Sequence, residues 1–232
     1  YWDTDLFITP YFTLTQPDLA RTHLEYRYRG LDGARRKAAR YGRRGAFYAW
    51  ESADTGDEVT PDWTNPVSGE PVRIWTGEIE EHITADVAWV SDHYWRWTGD
   101  DTFLADRGVE MMVEGGRYWE SRLEHDGNGS HIRDVIGPDE YHIHVDDNFY
   151  TNLMAAWQMR RAAKAIRWLG ARDSDRLARL VATYGWEQGL PDLLDRAAET
   201  VTLRRRGDVW EQHAGFFDLE VIDLNRFEPR VH

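Results

Sequence analysis

Cysteine is absent from this 232-residue chain. Disulfides, thiolate metal sites and thiol nucleophiles are thereby excluded, so any acid, base or nucleophile must come from oxygen or imidazole chemistry. Long apolar runs are missing too. No stretch nears the roughly 20 residues that span a bilayer, and the opening Tyr1-Trp2-Asp3-Thr4-Asp5 lacks the basic-then-apolar order of a signal peptide. The expectation is a soluble, cytoplasmic chain with no membrane partner. Positive charge is in deficit, 28 Lys and Arg against 41 Asp and Glu, for a formal net charge of -13. That balance opposes phosphate backbones, so no nucleic-acid partner is expected despite the local run Arg204, Arg205 and Arg206. A neutral substrate suits it best.

The chain begins without Met and stops at Arg230-Val231-His232, which reads as a piece of something longer. Its length suits one domain with a real core, and no fixed-period repeat, low-complexity tract or linker divides residues 1–232. What is abundant is aromatic: twelve Trp and eleven Tyr in a chain of low mean hydropathy. Such rings build cores, and they also form the flat apolar platforms on which pyranose C–H faces stack while hydroxyls seek carboxylates. Composition does not choose between the two.

Helical spacing dominates the pattern. Leu24, Tyr28 and Leu31 follow Pro17. Ile83, Val87, Val90, Tyr94 and Trp97 form a stripe that ends at Gly99, a residue suited to a left-handed helix end. Asp100-Asp101 can cap a further helix with Leu104, Met111, Met112, Tyr118, Trp119 and Leu123 inward, before a turn at Asp126-Gly127-Asn128-Gly129. Leu153, Trp157 and Ile166 mark a helix over 149–169 ended by Gly170, and weaker helices are expected over 177–181 and 190–201. Strand signals are few. Residues 48–65 and 131–145 read as long polar loops on a helical scaffold, the usual place for binding and catalysis.

Within the second loop, Ile136-Gly137-Pro138-Asp139-Glu140-Tyr141-His142 presents two carboxylates beside a ring. Burial against that ring would disfavour ionised Glu140 and suit it to general-acid work. The plainer reading is that Asp139 or Glu140 caps the helix starting near Asn148. In the first loop, Trp50-Glu51 sets an aromatic beside an acid, a pairing that stacks a sugar and accepts from its hydroxyls, or merely a solvated turn. Asp54-Thr55-Gly56 has the letters of an aspartic protease loop, but a second copy and flanking strands are missing. His142-Ile143-His144 with Asp146 and Asp147, and Asp126, Asn128 and Ser130, fit turns better than metal sites, because the latter set has Gly137 where a calcium loop needs Glu. No metal is expected.

Together these segments resemble glycoside hydrolase family 65, the family of maltose, kojibiose, nigerose and trehalose phosphorylases. The carrying motifs are Tyr1-Trp2-Asp3-Thr4-Asp5, Arg27-Tyr28-Arg29-Gly30-Leu31-Asp32-Gly33-Ala34-Arg35, Trp50-Glu51-Ser52-Ala53-Asp54-Thr55-Gly56, His82-Ile83-Thr84-Ala85-Asp86, Gly137-Pro138-Asp139-Glu140-Tyr141-His142 and Gly215-Phe216-Phe217. They occur in the family's order across nearly the whole chain, with Asp146, Asn148, Tyr150, Thr151 and Asn152 after the fifth. Ala49 in place of Pro, Asp5 in place of Glu and the run 211–214 are small departures.

The resemblance implies an all-α fold, part of an (α/α)6 barrel (toroid) with long connecting loops. It implies Glu140 as the acid protonating the glycosidic oxygen, Trp2 and Asp3 around the non-reducing glucosyl unit, and Trp50, Glu51 and Thr76 on the aglycone side. The partners would be a disaccharide and inorganic phosphate, the latter a co-substrate, with no cofactor. Phosphate is already an anionic nucleophile, so one protein acid suffices, whereas an inverting hydrolase needs a second carboxylate. The alternatives are an α-glucosidase or trehalase-like hydrolase on the same fold, and a non-catalytic helical carbohydrate-binding module. With about half the barrel beyond this segment, exposed apolar faces would favour a homodimer or self-association.

Overall fold

Helices form wherever apolar residues recur every three or four positions, and they carry most of the chain. The computed structural model describes residues 1–65 and 69–223; the terminal Arg230-Val231-His232 lies outside them. A π turn, Thr4–Ile8, leads into α1 (Thr9–Thr15), then α2 (Pro17–Arg29) and α3 (Leu31–Arg40). After a long loop come the single turn α4 (Thr76–Ile79), α5 (Ile83–Thr98), the short α6 (Asp101–Phe103) and α7 (Val109–Arg122). Then follow α8 (Phe149–Arg172), α9 (Ser174–Tyr184) and α10 (Leu190–Thr200). Strands among the described residues are two small antiparallel hairpins, β1 (Glu124–Asp126) with β2 (Gly129–His131) and β3 (Arg205–Arg206) with β4 (Val209–Trp210). The molecule is helix-rich, as an all-α chain should be.

Local chemistry sets the boundaries. α5 stops at Gly99, which takes φ 69°, and the Asp100 carboxylate then accepts from Phe103 N at 2.9 Å to start α6. Asn148 Oδ1 accepts from Thr151 N at 3.1 Å at the start of α8. Asp139 and Glu140 are therefore not the caps of that helix. Gly170 does not end α8 either. The helix continues to Arg172, and a Cβ on Gly170 would stand 3.1 Å from Leu177 Cδ2, so the glycine admits α9 rather than terminating α8. Leu31 belongs to α3 because the chain breaks at Gly30, and Trp97, past the last covering element, is 64% exposed and lies toward His93 instead of the core.

The main core lies where α7, α8 and α10 meet, around Phe47, Met112, Trp119, Met159 and Leu194. Contact is close because Gly115 and Gly116 face α8: a Cβ on Gly115 would meet Gln158 Nε2 at 1.9 Å. Buried Gln158 accepts from Trp119 Nε1 at 2.8 Å and donates to Met112 O at 3.3 Å, so its amide is satisfied in an apolar setting. A second cluster, with Trp2, Leu31, Tyr48, Ile83 and Met111 buried and Trp50 against it, positions the aromatic residues discussed below.

A further close approach ties the loop after Trp50 to the helices before it. Gly56, at φ 74°, sits so near Gly30 and Gly33 that a Cβ on it would fall 2.2 Å from Gly30 O. Gly42 has a similar φ, 67°, but open space around it. Gly56→Ala is expected to cost about 3 kcal/mol, the sum of left-handed strain and overpacking, whereas Gly42→Ala should cost about 1 kcal/mol from strain alone. Urea unfolding of the two variants measures the difference.

Candidate active site

The N-terminus of α5 gathers the groups that matter. His82 precedes its first turn and is fully buried, with Nδ1 2.6 Å from Asp86 Oδ2 and Nε2 3.0 Å from Glu80 Oε1. The i,i+4 spacing places Asp86 beside the ring, and the turn of α4 delivers Glu80 to the other nitrogen. Trp2 and Tyr150 each meet the imidazole edge-on, at 5.1 and 5.3 Å between centroids, and Tyr150 OH donates to Asp86 Oδ1 at 2.8 Å.

A cation at a helix N-terminus is disfavoured by the helix dipole, so the ring depends on its carboxylates. Burial pulls the His82 pKa down, but Asp86 and Glu80 outweigh it and raise it to about 9. His82 is thus an imidazolium at neutral pH. Burial pushes Glu80 up to about 7, with the His82 contact opposing it. For Glu140, burial raises the pKa, the His82 cation lowers it and Asp3 raises it, for a net upward shift. Its carboxyl has no hydrogen-bond contribution to that shift.

Trp2, Trp50 and Glu140 therefore converge on the Glu80–His82 pair, Trp2 by ring contact, Glu140 by charge and Trp50 by an indole that lies near Glu80, while Asp3 joins them through its charge on Glu140. The Trp50 N–H influences Glu80 but misses hydrogen-bond geometry, and it remains unpartnered. Trp2 Nε1, Thr76 Oγ1 and Glu80 Oε2 are also buried without partners. Thr76 joins the group through its carbonyl, which accepts from Glu80 N at 3.1 Å. Glu51 neighbours Trp50 in sequence, but no contact ties its carboxylate to the others. The loop is clasped instead by Glu58, which accepts from Trp50 N at 2.9 Å, Glu51 N at 3.2 Å and Lys37 Nζ at 2.6 Å.

One expectation needs correction. The Tyr141 ring is 96% exposed and cannot bury Glu140, which is itself an exposed residue. The acid's upward shift comes instead from partial burial, with Asp3 adding to it and the His82 cation opposing it. Its loop is held by Asp139, whose carboxylate accepts from Gln212 Nε2 at 2.7 Å and Tyr141 N at 3.2 Å and lies 2.8 Å from His142 Nδ1. His144 pairs with Asp134, and among the described residues no His, Asp and Glu group is arranged to hold a metal. The basic run is internally neutralised, Arg204 by Glu211 and Arg206 by Asp218, with Arg205 over Trp210. No helix among the described residues is long and apolar enough to cross a membrane.

Glu80 escaped the sequence reading, although its signal was there: two adjacent acids ahead of the clearest helix. They diverge, Glu81 turning away to Arg122 at 3.0 Å and Tyr118 at 2.7 Å.

A helical scaffold that brings indoles, a raised carboxyl and an imidazolium together suits a carbohydrate-active catalytic domain. The chain belongs to glycosyl hydrolase family 65, and residues 1–232 match the family's central catalytic domain. It is 43% identical to the kojibiose phosphorylase of Halothermothrix orenii over 237 residues, covering 100% of this chain and 30% of that protein. Against the nigerose phosphorylase of Lachnoclostridium phytofermentans it is 34% identical over 241 residues, 100% of this chain and 32% of the relative. The chain thus spans about a third of the length of these curated relatives. A solved structure from the human microbiome, provisionally named a kojibiose phosphorylase, superimposes with TM-score 0.78 at 21% identity, over 98% of this chain and 32% of that one. That likeness establishes the fold.

The raised His82 pKa has a stability consequence of definite sign. Its contribution is complete below the unfolded value of 6.5 and is lost as pH rises through about 9. Unfolding free energy is expected to fall by on the order of 3 kcal/mol between those limits, and His82→Gln should flatten that slope. Urea titrations at stepped pH, with NMR of the ring carbons, measure both.

Proposed function

We propose that this chain supplies the acid and sugar-binding side of an α-glucoside phosphorylase that cleaves a neutral disaccharide with inorganic phosphate. The observation that carries the reading is the raised carboxyl of Glu140 within reach of Asp3, His82 and Glu80. A carboxyl whose pKa is raised above the ordinary carboxylate value is better suited to hand its proton to the departing glycosidic oxygen. Trp2 and Asp3 would hold the glucosyl unit, and Trp50, Glu51 and Thr76 the aglycone side. Phosphate attacking the opposite face inverts the anomeric centre and yields β-glucose 1-phosphate from an α-glucoside. The disaccharide phosphorylase names of the relatives support this chemistry, and the helix-rich architecture supports placement of the chain within an (α/α)6 barrel. The apolar row Phe7, Tyr11 and Leu14, exposed along the first helices, would then be covered by the rest of the barrel or by a second copy.

Incubating the intact protein with kojibiose and nigerose, with and without phosphate, tests the reaction. Phosphate-dependent release of glucose and β-glucose 1-phosphate is expected; equal glucose release in both conditions would make it a hydrolase. Glu140→Gln should lower kcat at least about 1,000-fold with little change in sugar affinity, because the shape survives and the proton does not. The neighbouring charges give a further expectation. Asp3→Asn removes a group that raises the Glu140 pKa, so the alkaline limb of the kcat/KM profile should move to lower pH. Rate measurements across pH would read that direction.

A further inference from the structure

We propose that Glu80 is a specificity-determining residue of this site, its unpartnered carboxylate oxygen accepting a hydrogen bond from a hydroxyl of the sugar on the aglycone side. The inference rests on the phosphorylase reading and goes beyond it, because it concerns a residue that the motif comparison gave no role. Glu80 is 1% exposed, yet only Oε1 is fully engaged, by His82 Nε2 at 3.0 Å; Oε2 is buried and completes no hydrogen bond among the described residues, although the Trp50 indole N–H lies close enough to influence the carboxylate. A buried carboxylate oxygen left unsatisfied is costly unless a ligand completes it.

Three neighbours show what kind of ligand would do so. The indole N–H of Trp50, beside the Glu80 carboxylate, and the hydroxyl of Thr76, one helical turn before Glu80 in the chain, are also buried and without hydrogen-bond partners among the described residues. A ligand matching this set must offer both donors and acceptors in a small space next to an aromatic face, which describes the hydroxyls of a pyranose. Glu140 lies within electrostatic reach of Glu80, so the ligand would sit beside the proton donor.

The positions assign a side as well. Glu80 neighbours Trp50 and Thr76, the residues assigned above to the aglycone side, while Trp2 meets the site through its edge-on contact with the His82 ring. The contact therefore falls on the acceptor unit, the sugar that leaves in phosphorolysis and attacks in the reverse reaction. His82 serves as the anchor: by holding Oε1, it fixes the direction in which Oε2 is presented. Such preorganisation lets one hydrogen bond discriminate between acceptors, because an acceptor lacking the matching hydroxyl leaves the carboxylate oxygen bare.

The test is the reverse reaction of the intact enzyme, with β-glucose 1-phosphate as donor and glucose or monodeoxy glucoses that keep the attacking hydroxyl as acceptors. In the unaltered enzyme one monodeoxy glucose is expected to be about 10- to 100-fold poorer than glucose in kcat/KM. In Glu80→Ala that ratio should collapse to below about threefold, with the loss for glucose mainly in KM. Glu80→Gln, which can still engage His82, should show an intermediate ratio and covers the case in which the alanine variant does not fold. Unchanged ratios in the folded variants would overturn the proposal, as would a uniform loss for every acceptor, the mark of a purely structural carboxylate. If the unaltered enzyme neither makes nor uses sugar phosphate, calorimetric titration with glucose reads the same contact. Weakening of about tenfold or more in Glu80→Ala would then uphold Glu80 while rejecting the phosphorylase reading, and equal affinity would reject Glu80.

Discussion

A buried imidazolium between two carboxylates is the interaction on which the site depends. His82 occupies a place where burial and helix polarity both oppose a positive charge, and it keeps its proton because Asp86 and Glu80 hold its two nitrogens. Trp2 and Tyr150 pack against the same ring, Tyr150 anchors Asp86, and the charge acts on Glu140. Segments from the first residues, from the α4 turn, from α5, from the acid loop and from α8 thus meet at one charge. The arrangement places this cation within electrostatic reach of Glu140, where it opposes the upward shift that burial and Asp3 give that carboxyl.

Much of the scaffold was legible because helices write their faces into sequence. The stripe through Ile83, Val87, Val90 and Tyr94 and the terminating Gly99 are found as expected, and so are the inward Met111, Met112, Tyr118 and Trp119. Glycine was harder to read. Gly99 ends a helix, Gly170 lies within one, and Gly115 and Gly116 admit a neighbouring helix. Spacing alone cannot separate these uses, because each depends on what approaches from elsewhere in the chain.

The acid loop shows the same divide. Its two carboxylates were visible in sequence, but the division of labour was not: Asp139 braces the loop through Gln212 and His142, leaving Glu140 free of hydrogen bonds. Adjacent residues in a turn need not face one another: Tyr141 faces solvent and leaves Glu140 uncovered. Glu58 and Glu80 were each passed over among neighbouring acids. Only tertiary contact distinguishes a carboxylate that clasps a loop, one that anchors a histidine and one that merely solvates the surface.

The brace between Gln212 and Asp139 spans 73 positions of sequence. During synthesis the acid loop leaves the ribosome well before its brace, and at that stage nothing holds Asp139 from this side. Helices α8, α9 and α10 must be made before residue 212 can arrive. Bracing of the loop that carries Glu140 is therefore a late event, timed by the appearance of a glutamine rather than by completion of the loop itself.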